Sequence, residues 1–82
     1  MRLSISETAN LFGISVRTLH YYDEIGLLKP SETSNAGYRY YTDEAIILLQ
    51  QILFYRELDF PLKEIAAMLN NPQYDRQTAL LN

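Results

Sequence analysis

Ile5, Thr8, Ala9 and Phe12 stand at i, i+3, i+4 and i+7, the spacing with which one helix face turns inward. Ser4-Ile5-Ser6-Glu7 precedes the stripe as a capping box: the serine hydroxyl meets the amide three residues on, and the glutamate reaches back. Gly13 ends this helix, and Ser15 caps a second one in which Val16 and Leu19 face inward. The second helix runs to about Glu24, with Gly26 as its terminator. Two short helices joined by Gly13-Ile14-Ser15 predict a helix-turn-helix over about residues 5–24.

The pattern then changes. Leu27-Leu28-Lys29-Pro30 leads into the polar stretch SETSNAG (31–37), whose Ser, Asn and Gly mark a loop. Tyr38-Arg39-Tyr40-Tyr41 follows, and aromatic side chains favour extended backbone. Leu28-Lys29 and Tyr38–Tyr41 are expected to be the two arms of a small hairpin. Thr42 is expected to cap a third helix, with Asp43 and Glu44 in the first turn, where the helix dipole favours acids. That helix reaches about Leu58, and its apolar residues nearly encircle it, from Ala45 and Ile46 to Phe54 and Leu58. Such a helix asks for burial on most sides, so another chain is expected to cover part of it. Pro61 is expected at the first position of a fourth helix, with the stripe Leu62, Ile65, Ala66 and Leu69. Asn70-Asn71-Pro72 stops it, and residues 73–82 begin a further helix with its apolar residues unpaired.

Eighty-two residues make one small domain, marginal alone and in need of support beyond its own core. The absence of cysteine removes disulfides and thiolate metal sites within the segment. The lone His20 builds no metal site unaided. No apolar run approaches the roughly 20 residues of a membrane span, and Glu7 interrupts the N-terminus before any secretory core. The expectation is a soluble cytoplasmic protein. A net charge of −3 argues against nucleic acid at first sight, but the charge is uneven. Residues 1–41 are balanced, and residues 42–82 carry the whole excess of acid. Phosphate affinity follows the local field and the available donors, not the isoelectric point.

The stretch SVRTLHYYDEIGLL (15–28) carries Arg17, Thr18, His20, Tyr21 and Tyr22 among its apolar positions. They form either a solvated face or a contact surface. No nucleophile–base pair, metal cluster or phosphate loop suggests an enzyme.

The segments ISETANLFGISVRTLHYYDEIGLLKPS, NAGYRYYTDEAI and LQQILFYRELDFPLKEIAAML, in this order and spacing, resemble the N-terminal DNA-binding region of the MerR (mercury-resistance regulator) family of transcription regulators. The likeness covers about positions 3–71, and the tail NPQYDRQTALL looks most like the branch that senses multiple drugs or peptide antibiotics. The resemblance implies a mainly α fold: a winged helix-turn-helix with a small β-hairpin wing, a second helix pair and the start of a dimerisation helix. It divides the chain into a DNA-binding domain, 1–71, and a linker with the first turns of a coiled coil, 72–82. It further implies a homodimer on an inverted repeat of double-stranded promoter DNA, with a small-molecule effector bound C-terminal to this segment. On effector binding the DNA is distorted and RNA polymerase starts. No cofactor is implied within the segment.

Carried onto this sequence, the resemblance makes helix 15–24 the recognition helix. Arg17 and Thr18 stand in its first turns, where base edges are reached, and Arg17 suits a guanine or a phosphate. Tyr21 offers a hydroxyl to phosphate, and Tyr22 braces the helix with its ring packed and its tip wet. His20 stands where an arginine is common, which removes a fixed charge. Arg39, flanked by Tyr38 and Tyr40, suits phosphate or the minor groove at the wing. Lys63 is the cation at the start of the fourth helix. Two further readings remain: an excisionase-like or architectural DNA-binding protein, and a dimerisation module that does not bind DNA. This 82-residue segment is expected to dimerise poorly.

Overall fold

A computed structural model describes residues 1–70 of the chain. The order is β1 (Arg2–Ser4), α1 (Ile5–Phe12), α2 (Val16–Glu24), β2 (Glu32–Thr33), β3 (Arg39–Thr42), α3 (Asp43–Glu57) and α4 (Leu62–Leu69). The chain divides into two compact units, Met1–Gln51 and Ile52 onward.

In the first unit, the local signals act as their chemistry requires. Ser4 Oγ accepts from the Glu7 amide at 3.1 Å, and Glu7 Oε1 accepts from the Ser4 amide at 2.9 Å, so the capping box is complete. The helix ends in a Schellman motif: Ile14 N–H donates to the Ala9 carbonyl and Gly13 N–H to Asn10. Gly13 takes φ +67° there, a conformation a Cβ would strain. At the end of α2, Leu27 N–H donates to Tyr22 and Gly26 N–H to Asp23 in the same pattern.

The wing differs from the expected hairpin. Its first arm is Glu32–Thr33, not Leu28-Lys29, and it lies inside the stretch expected to be loop. Leu27 and Leu28 N–H both donate to the Tyr22 carbonyl, so these residues wrap around the end of α2 and bury their side chains in the core. Pairing starts only where a three-residue loop, Asn35-Ala36-Gly37, sets the register. Gly37 N–H donates to the Ser34 carbonyl and Ser34 N–H to the Tyr38 carbonyl, and Gly37 takes φ +88°, as a type I turn with a G1 bulge requires.

A third strand, β1, was not expected. It pairs antiparallel with β3 on the side away from β2, giving the order β1-β3-β2. Three extended residues carry no periodicity to read, and the pairing spans most of the first unit. The register puts Arg2, Glu32, Tyr40 and Thr42 on one face and Leu3, Thr33, Arg39 and Tyr41 on the other. Tyr41 is fully buried. The core of this unit is built from Ala9, Leu19, Tyr22, Leu27, Leu28, Tyr41, Ala45, Ile46 and Leu49; Val16, expected to face inward with Leu19, is half-buried. Thr42 lies in β3, and its hydroxyl donates to Ser31 Oγ at 2.8 Å. The N-terminal ammonium lies 3.0 Å from Asp43 in the first turn of α3.

Helix α3 stops at Glu57, one residue short of the expected end. Ile46, Leu49 and Ile52 are buried, whereas Ile47, Phe54 and Leu58 stay exposed. In the second unit, Pro61 is the N-cap of α4 rather than its first helical residue. Its ring fixes φ at −66°, but ψ of 151° keeps it extended, and no side chain caps the first turn. Ile65 is fully buried, with Leu62, Ala66 and Leu69 half-buried. Asn70 is the C-cap. The stop at Asn71-Pro72 and the helix expected over 73–82 lie outside the described residues.

Candidate nucleic-acid interface

Ser15 opens α2 in extended backbone and accepts from the Thr18 amide at 3.0 Å. Leu19 and Tyr22 then turn inward, which fixes the opposite face: Arg17, His20, Tyr21 and Glu24 point to solvent. Arg17 makes no hydrogen bond or ion pair among the described residues. Tyr21 is 49 % exposed, one turn further along the same face. The face presents a guanidinium, an imidazole and a phenol with donors free for an outside acceptor.

Two residues expected at the interface are less exposed than Arg17 and Tyr21. Tyr22 is only 5 % exposed, and its ring belongs to the core. Thr18 is half-buried, and its hydroxyl is tied to Ser15 Oγ at 2.9 Å, which makes it part of the cap.

Tyr38 stands at the end of the hairpin loop, 66 % exposed, with its amide donating to Ser34 Oγ. Arg39 follows at the start of β3. It is not a free cation: its Nε donates to Asp23 Oδ2 at 3.3 Å. Lys29 Nζ reaches the other oxygen, Oδ1, also at 3.3 Å, and lies 3.5 Å from the Asp23 carbonyl. One carboxylate at the end of α2 therefore gathers both cations. Beneath them, burial first and the Asp23 charge second hold the Tyr41 phenol above its ordinary range, and Arg39 offsets part of this. On the opposite face of the sheet, Arg2 lies 3.8 Å above the Tyr40 ring and pairs with Glu32 at 3.2 Å.

Lys63 is exposed in the first turn of α4 in the second unit. Asp23 and Arg2 were not singled out in the sequence. Asp23 did carry a signal, because a carboxylate in the last turn of a helix meets the negative end of its dipole and needs a cation. Among the described residues no group of three or more His, Cys, Asp or Glu is placed to hold a metal, and no helix is long and apolar enough to cross a membrane.

Residues 3–72 match the family model described as "MerR HTH family regulatory protein". The chain is 55% identical over 80 residues to the HTH-type transcriptional activator TipA of Streptomyces coelicolor, covering 98% of this chain and 32% of that protein. The fold is similar to the crystal structure of the N-terminus of the Bacillus subtilis multidrug transporter activator, MtaN, at TM-score 0.86 and 48% identity, over 96% of this chain and 74% of that one. It is also similar, at TM-score 0.75 and 26% identity over 99% of this chain and 65% of that one, to HiNmlR, a MerR family regulator lacking the sensor domain, bound to promoter DNA. The chain spans about a third of the length of the curated relatives it matches.

Proposed function

This chain belongs to the MerR family of helix-turn-helix regulatory proteins, and on that premise we propose that it is the promoter-reading part of a sequence-specific, homodimeric transcription activator. Helix α2 enters the major groove and the wing follows the adjacent backbone. The observation that carries this reading is the outward face of α2. Its cation, Arg17, is exposed and unpaired, in the first turn of a helix held by a serine cap and a buried leucine. A recognition helix contacts base edges from that turn.

Arg17 reads a base edge or grips phosphate, Tyr21 donates to phosphate, and Tyr38 with Arg39 meets the backbone at the wing. Lys63 supplies a further phosphate contact. The acidity of the whole chain does not oppose this, because the excess of acid lies beyond residue 41. The exposed apolar residues Phe54 and Leu58, toward the end of α3, support a homodimer whose second chain covers them. HiNmlR, the relative bound to promoter DNA, supports duplex DNA as the ligand. Activation by distorting that DNA when an effector binds elsewhere in the protein completes the reading.

The test is fluorescence anisotropy of the intact gene product on a labelled duplex taken from upstream of its own gene, at two salt concentrations, against a scrambled duplex. Preference for its own duplex, weakened by salt, is the expected result, since phosphate contacts release counterions. Equal affinity for both duplexes, with and without candidate effectors, would sink the reading.

A further inference from the structure

We infer that Asp23 is a positioning residue for DNA recognition: it clamps Arg39 of the wing to the end of the recognition helix and aims the rest of its guanidinium outward. The inference rests on the DNA-binding reading above and goes beyond it by assigning a role to an acidic residue that never touches the DNA.

The geometry has three parts. First, Asp23 and Arg39 are sixteen residues apart in sequence and belong to the two elements, α2 and β3, that the proposed interface joins. Nothing local brings them together. Second, the contact to Arg39 uses Nε alone. The Nη groups carry four further N–H donors in a planar fork, the arrangement that suits a phosphate or a guanine edge. Third, the carboxylate is divided. Oδ1 faces Lys29 and Oδ2 faces Arg39, each at 3.3 Å. One negative charge among two cations leaves the cluster positive while restraining both side chains.

Stability alone is a weak reason for this arrangement. Both distances are long for charge-assisted bonds, the Lys29 side chain is 70% exposed, and exposed ion pairs contribute little. Asp23 also opposes the dipole of its own helix. A bare Arg39 would be drawn to any phosphate. An Arg39 paired with Asp23 is biased toward the helix that carries Arg17 and Tyr21, so phosphate is gripped best when the groove is seated on that helix. The carboxylate thus lowers general attraction to DNA and raises discrimination.

The experiment compares Asp23→Asn, Arg39→Ala and the double variant with the wild type in the intact gene product, on its own and on a scrambled duplex. Asparagine is close in shape and keeps an acceptor, and circular dichroism melting checks that each variant folds. In Asp23→Asn, affinity for its own duplex is expected to fall about tenfold, while affinity for the scrambled duplex holds or rises. In the Arg39→Ala background, Asp23→Asn is expected to leave the ratio of the two affinities unchanged. A merely structural role would lower both affinities together. That outcome overturns the inference, as does an unchanged ratio in Asp23→Asn, or an equal drop with Arg39 already removed. If the wild type itself fails to prefer its own duplex, the DNA-binding reading fails and this inference with it. If the wild type discriminates and Asp23→Asn does so equally, only the positioning role is lost.

Discussion

The guanidinium of Arg2 lies 3.8 Å above the ring of Tyr40, joining the first strand of the chain to the central strand of the wing. The register places Arg2 opposite Thr42 and Tyr40 opposite both Ser4 and Glu32, so Arg2 reaches diagonally over the ring while pairing with Glu32. Arginine stacked on an aromatic face at a partly exposed site contributes about 0.5–1 kcal/mol. A double-mutant cycle of Arg2→Ala and Tyr40→Leu in urea unfolding is expected to show coupling of that size. Additive losses would mean that the stack contributes nothing and that β1 is held by its ladder alone.

Arg17 is exposed and makes no hydrogen bond or ion pair among the described residues, so its removal tests recognition with little expected change in stability. Arg17→Ala is expected to cost about 1–3 kcal/mol on the protein's own duplex, with the melting temperature unchanged. Lys63→Ala is expected to weaken both duplexes about equally and to reduce the salt slope by about 1. Anisotropy across a salt series reads both. An Arg17→Ala protein that discriminates as well as the wild type would move recognition away from α2.

The Tyr41 hydroxyl is buried with no hydrogen-bond partner among the described residues. An unsatisfied buried donor is a cost to the fold, so Tyr41→Phe is expected to leave stability unchanged or raise it by up to about 1 kcal/mol. The pH dependence has a definite sign. Burial, then Asp23, keep the folded phenol protonated above its ordinary value of 10.0. Unfolding therefore releases a proton once pH passes about 10, because the unfolded phenol ionises first, and stability falls as pH rises from there through the higher folded value. Urea unfolding of the wild type between pH 9 and pH 11, both values set on the order of the tyrosine titration range, is expected to show this fall, and Tyr41→Phe to lack the tyrosine part of it. A wild type and variant with parallel pH profiles would place the phenol in water.

Asp59 takes φ +66° just past the end of α3. Phe60 N–H donates to the Tyr55 carbonyl and Asp59 N–H to Arg56, so a side-chain-bearing residue occupies the place that glycine fills at Gly13. Left-handed backbone strains a Cβ, and the carboxylate adds a charge that the helix end disfavours. Asp59→Gly is expected to raise stability by about 0.5–1 kcal/mol in thermal unfolding. A loss instead would show that Asp59 makes a stabilising contact in the native chain.

What the sequence determined by itself is what forms within four residues. The capping box at Ser4 and Glu7, the glycine stops at Gly13 and Gly26, the serine cap at Ser15 and the outward position of Arg17 all follow from local hydrogen bonds and helical spacing. The excess of apolar surface on α3 was legible for the same reason, since it is a property of one helix. Tertiary structure alone decided the rest. β1 is three residues long and pairs with β3 nearly forty positions away, and so short a strand carries no period of its own. The first arm of the wing moved to Glu32–Thr33 because Leu27 and Leu28 fold back onto the end of α2. Tyr22 and Tyr21 are neighbours in sequence and alike in chemistry, yet burial sends one to the core and the other to the surface. The Asp23–Arg39 contact spans two elements whose approach is set by the packed core beneath them, where Leu19 and Tyr41 are fully buried. A charge pair of that kind is invisible until the backbone between its members has been folded.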